Sequence, residues 1–98
     1  MSQGASAPET RRAFRVVGRV QGVGFRWWAF RHARELGLHG TVRNARDGSV
    51  ELQVAGPPEA VERFRALMAA GPPGANVRGV EDLGAPDRPL PPTFEIVG

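Results

Sequence analysis

The sequence predicts an α+β sandwich, with two helices on one face of a mainly antiparallel sheet and the order β-α-β-β-α-β plus a short extra C-terminal strand. Three observations lead there. Alternating apolar residues over 12–20 run through a glycine turn into a helical stripe over 25–36. Two further alternating runs flank Asp47-Gly48, a strong hairpin signal. A second helical stripe opens at Pro57-Pro58-Glu59, and another extended run follows it.

In the first strand, 12–20, Phe14, Val16, Gly18 and Val20 share one face and Ala13, Arg15, Val17 and Arg19 the other. Gln21-Gly22-Val23-Gly24 ends it in a turn. The first helix, 25–36, carries Phe25, Trp28, Ala29, His32, Ala33 and Leu36 at core-facing spacing, and Gly37 sits where a left-handed cap belongs. The second and third strands, 40–45 and 49–55, meet through Arg46-Asp47-Gly48; Val50, Leu52 and Val54 alternate with Glu51 and Gln53. The second helix buries Ala60, Val61, Phe64, Leu67 and Met68 and stops at Gly71. Strands at 76–83 and 94–97 complete the chain. Right-handed β-α-β crossovers then place both helices on one side of the sheet, the ferredoxin-like arrangement.

At 98 residues the chain has room for one core, expected over 11–98, with the small, polar residues 1–10 as a disordered leader. No apolar run approaches the roughly 20 residues of a membrane span, and the first ten residues lack the features of a secretory signal. The absence of cysteine removes disulfides, thiolate metal sites and a cysteine nucleophile, and fits a cytoplasmic chain. All 13 basic residues are arginine. From Arg11 to Arg46 there are nine arginines against the single acid Glu35; beyond, four arginines face eight acids. So uneven a charge suggests a basic end that attracts an anion, or simply a solvated arginine face.

The first strand–helix junction reads Gly18-Arg19-Val20-Gln21-Gly22-Val23-Gly24-Phe25-Arg26. Gly22 and Gly24 let the backbone curl, and the helix behind them begins with amides that have no intrahelical acceptor. Arg26, in that first turn, opposes the helix dipole at a cost of about 0.3–1 kcal/mol. A tetrahedral anion would reverse the sign by accepting loop amides and a two-pronged arginine bond. The glycines alone also admit an ordinary turn. Asn44 shares the parity of Val42 near the end of the second strand; it offers a donor and an acceptor for a water and a substrate oxygen, or equally for hairpin backbone groups. His32 is read as a packed core histidine, and His39, in an expected turn, has no carboxylate to orient it. No His, Asp and Glu cluster has metal-ligand spacing, and neither a P-loop lysine nor a G-x-G-x-x-G loop is present.

Two segments carry a resemblance. Gly18–Arg26 fits the acylphosphatase pattern G-x-V-Q-G-V-x-F-R, and Gly40-Thr41-Val42-Arg43-Asn44-Ala45-Arg46-Asp47-Gly48-Ser49-Val50-Glu51 is similar to that family's G-x-V-x-N-x-x-D-G-x-V-E. The likeness runs over about 12–97. It implies hydrolysis of the carboxyl–phosphate bond of a small acyl phosphate. It implies that Arg26 and the amides of Gln21, Gly22, Val23, Gly24, Phe25 and Arg26 hold the phosphoryl group, and that Asn44 positions the attacking water. Apart from the resemblance, the residues lead to the expectation of a monomer without cofactor or metal and without a nucleic-acid or membrane partner. Ala45 stands where many relatives carry threonine, Trp27 and Trp28 are bulkier than usual, and the chain lacks a final aromatic. The rival is a phosphate- or RNA-binding ferredoxin-like module. RNA readers of that fold stack bases on strand aromatics, and here the first strand offers only Phe14 and the third none.

Overall fold

The computed structural model describes residues 9–98. Its elements follow in the order β1 (Thr10–Arg19), α1 (Phe25–Glu35), β2 (His39–Asn44), β3 (Val50–Gly56), α2 (Pro58–Ala70), β4 (Asn76–Gly84) and β5 (Phe94–Ile96). Thr10, placed in the leader by the sequence, already pairs with Gly56; the leader up to residue 8 lies outside the described residues. The five strands form one sheet in the order β4-β1-β3-β2-β5. Every neighbouring pair is antiparallel except β2–β5.

Parity decides what lies under the helices. Phe14 and Val16 of β1, and Val20 just beyond it, lie on the same side as Val50, Leu52 and Val54 of β3 and Val42 of β2. They meet Phe25, Ala29 and Ala33 of α1 and Val61, Phe64 and Met68 of α2 in one core. Each large apolar side chain buried there contributes about 1.5–3 kcal/mol relative to exposure. Helix α1 ends as the glycine predicts: Gly37 takes φ 71°, its amide donates to Arg34 and that of Leu38 to Ala33, a Schellman pair. His32 is not a core residue; it sits half-buried at the rim, its ring edge against Trp28 and its Nδ1 3.5 Å from Glu35. One turn of α1 separates the well-covered Ala29 from this edge, which periodicity alone does not reveal.

The opposite face holds a row of alternating charge. Glu81, Arg15, Glu51 and Arg43 stand directly opposite one another across β4, β1, β3 and β2. Their ion pairs measure 3.3, 3.1 and 2.6 Å. The basic first half of the sequence is thus interleaved with the acidic second half, and two of its arginines are neutralised within the sheet. Residues 85–93 cross this face from β4 to β5 at the far edge, taking bonds from the side chains of Arg11 and His39. Ala55, paired with Arg11 and His39 in the sheet, is only 1% exposed. His39 is the first residue of β2 rather than part of a turn, and it does have a carboxylate: Nδ1–H donates to the Pro91 carbonyl at 2.8 Å, and Nε2 lies 3.0 Å from Glu9.

Candidate active site

The junction between β1 and α1 builds one wall of a small cavity. Val20 is fully buried and Phe25 is 2% exposed, so both ends of the turn are anchored in the core. Between them Gly22 and Gly24 both adopt φ 77°, and Gly24 is the N-cap of α1 with no side-chain cap. A Cβ at either position would meet nothing within 4 Å. The demand for glycine is therefore torsional, and the space beside the loop is open for a ligand. The Gly24 carbonyl accepts from Trp28 at 3.0 Å and closes the first helical turn. Among the described residues, no backbone or side-chain acceptor meets the amides of residues 22–27, and the first turn holds no acid. These amides carry the positive end of the helix dipole.

Arg26 adds a full charge to that positive end. It is half-buried and makes no ion pair among the described residues, whereas Arg15, Arg43 and Arg65 do. The cavity, of about 80 Å³, is lined by Val20, Gly22, Gly24, Phe25, Arg26, Trp27 and Asn44. Asn44 reaches it from the end of β2, on the helix side of the sheet with Val42, and makes no side-chain hydrogen bond among the described residues. The fold thus brings Arg26 and Asn44, 18 positions apart, to one cavity. A single water needs only about 10–15 Å³, so the space suits a small anion with a water beside it. Two larger concavities lie elsewhere. In one, of about 230 Å³, Arg65 is already held by Asp82 through two hydrogen bonds of 3.0 and 2.9 Å. The other, of about 410 Å³, contains the His32–Glu35 pair. Among the described residues no group of three or more His, Asp or Glu could hold a metal ion.

The side chain of Gln21 points away from the cavity's anion side. Its Nε2 donates to the carbonyls of Ala45 (2.7 Å) and Ser49 (2.9 Å), which tie the loop to the β2–β3 hairpin. Only its backbone amide is left for a ligand. The hairpin is itself braced: the Asp47 carboxylate accepts the Ser49 amide at 2.9 Å and the Ser49 hydroxyl at 2.5 Å. The Ser49 hydroxyl, then its amide, hold the Asp47 carboxyl below the usual carboxylate range. Loop and hairpin therefore form one unit, with the cation on one side and the asparagine on the other. Sequence reading assigned Gln21 to the loop but missed this tie; two carbonyls on another element leave no sequence signal. Val23 is half-buried and packs on the core rather than lining the cavity, so only its amide is available to an anion.

Comparison with known proteins shows the family. The acylphosphatase family model matches residues 12–96. An acylphosphatase of Thermococcus kodakarensis is 54% identical over 71 residues, covering 72% of this chain and 78% of that protein. One from Solibacter usitatus is 44% identical over 85 residues, covering 87% and 88% respectively. The crystal structure of acylphosphatase from Bacillus subtilis superposes with a TM-score of 0.84 at 33% identity, covering 90% of this chain and 98% of that one. With the family model spanning 12–96 and these relatives covering most of its length, the chain belongs to the acylphosphatase family.

Proposed function

We propose that the protein hydrolyses acyl phosphates to a carboxylate and inorganic phosphate, with Arg26 and the loop amides holding the phosphoryl group and Asn44 holding the water. The observation that carries this reading is the shared cavity: on one side an arginine and a helix start whose charge and amides have no acid or acceptor among the described residues, and on the other an uncharged donor–acceptor. Phosphoryl transfer depends chiefly on positioning and charge stabilisation. The water oxygen forms a bond to phosphorus as the bond to the acyl oxygen breaks. The electron pair leaves on the carboxylate, and the proton shed by the water ends on the phosphate. A carboxylate leaves without first being protonated, so no strong general acid is required. Arg26 and the amides stabilise the charge on the equatorial oxygens, and Asn44 aligns the water opposite the leaving group.

The row Glu81–Arg15–Glu51–Arg43 favours this reading over an RNA-binding module. That is the sheet face on which RNA readers of this fold place stacking aromatics, and Phe14 lies fully buried on the other side. The same reading makes the enzyme a cytoplasmic monomer acting on a diffusible substrate. The test is phosphate release from benzoyl phosphate and acetyl phosphate in the presence of EDTA. Turnover is expected in chelator; activity that appears only with added magnesium contradicts the metal-free mechanism.

A further inference from the structure

Trp27 is one of two large hydrophobic side chains that stand exposed among the described residues; the other, Leu83, lies near the end of β4. Trp27 is 62% exposed, yet it lines the cavity that holds Arg26 and Asn44. It is not loose. Its ring meets Phe30 edge to face at 5.6 Å and 75°, and Phe30 in turn lies 6.4 Å from Phe94 of β5. Phe30 also carries the Arg34 guanidinium 5.4 Å from its centroid. A chain of aromatic contacts from the core therefore holds the indole at the rim.

Size decides what the indole can meet. An apolar cavity of about 150 Å³ is the kind that accepts a benzene ring. The one here, at about 80 Å³, holds a phosphoryl group and its water without room for an aryl group as well. With phosphate against the amides and Arg26, the acyl part must project out of the cavity, and the apolar surface at that rim is Trp27. We propose that Trp27 is the acyl-recognition residue of this enzyme and that it selects acyl phosphates with a flat, aromatic acyl group over small aliphatic ones. This inference rests on the acyl phosphate reading above. An offset or edge-to-face contact between the indole and an aryl ring corresponds to about a two- to tenfold gain in binding the reacting species. A methyl group offers no such face.

The experiment compares kcat/KM for benzoyl phosphate and acetyl phosphate in wild type, Trp27→Ala and Trp27→Phe, with inorganic phosphate as competitive inhibitor in each. Because Trp27 is exposed, both variants are expected to keep the fold, and thermal melts check this. The expected result is a two- to tenfold loss on benzoyl phosphate in Trp27→Ala. Acetyl phosphate turnover and phosphate inhibition fall by less than benzoyl phosphate turnover, and Trp27→Phe recovers most of the benzoyl phosphate loss. Equal losses on both substrates, or no loss on either, overturn the inference while leaving the hydrolase reading intact. Failure of the wild type to turn over either substrate overturns both.

Discussion

Removing the side chain of Gln21 tests whether loop and hairpin act as one unit. Gln21→Ala deletes two hydrogen bonds, to the Ala45 and Ser49 carbonyls at 2.7 and 2.9 Å. At a net 0.5–1.5 kcal/mol for each bond, the loss of stability is about 1–3 kcal/mol. In a domain of this size that lowers Tm by at least about 4 °C. The rate falls for a separate reason. The cation and amides belong to the loop and α1, Asn44 belongs to β2, and Gln21 joins the two walls. A displacement of order 1 Å between reacting groups costs roughly 10² in rate. The proposed function puts phosphate on the loop side, so the inhibition constant for inorganic phosphate should move far less than kcat. Gln21→Glu should be worse than alanine, since a carboxylate would face two carbonyl oxygens. Thermal melts, benzoyl phosphate kinetics and phosphate inhibition are the assays. A Gln21→Ala protein with wild-type Tm and kcat would refute the reasoning.

Gly24→Ala forces a Cβ into φ 77°, where nothing crowds it, so its cost is torsional: about 1–2 kcal/mol of stability, with phosphate affinity reduced as the helix start shifts. Thermal melts with and without millimolar phosphate check this, and an alanine variant as stable and as phosphate-responsive as wild type would contradict it. Acid should destabilise the fold through Asp47 and Asp82, whose carboxyls are held below their ordinary range, by the Ser49 hydroxyl and by Arg65 respectively. A carboxyl whose folded value is depressed contributes stability above its unfolded value, about pH 4, and loses it as pH falls further. Tm should therefore drop below about pH 4, less steeply in Asp47→Asn; a Tm that holds or rises on acidification would contradict this.

The strands and helices were legible because each has a single strong period, and turn glycines mark where the period changes. Boundaries shifted by one or two residues: β1 begins at Thr10, β2 at His39 and β3 at Val50. The site was legible where its logic is local. Arg26 stands out because a cation at a helix start opposes the dipole, and Asn44 because it is polar on the parity of a core residue. Long-range relations were not legible. Nothing in 85–93 says that it crosses the sheet to seat β5 beside β2, and nothing near His39 says that Glu9, just before β1, comes to lie beside it. The charge imbalance along the sequence likewise misleads, because β1 is sandwiched between β4 and β3 and its Arg15 meets their acids. The tie from Gln21 and the rim position of Trp27 depend on the same three-dimensional folding.

The central claim is a division of labour between the two walls of the cavity. It is tested most directly by measuring benzoyl phosphate turnover and inorganic phosphate inhibition for wild type, Arg26→Ala and Asn44→Ala side by side in chelator. Arg26→Ala is expected to lose both turnover, by at least about 10²–10³, and phosphate inhibition, whereas Asn44→Ala is expected to lose turnover by a similar factor and to keep phosphate inhibition. An Arg26→Ala enzyme that phosphate still inhibits, or an Asn44→Ala enzyme of undiminished kcat, would contradict it.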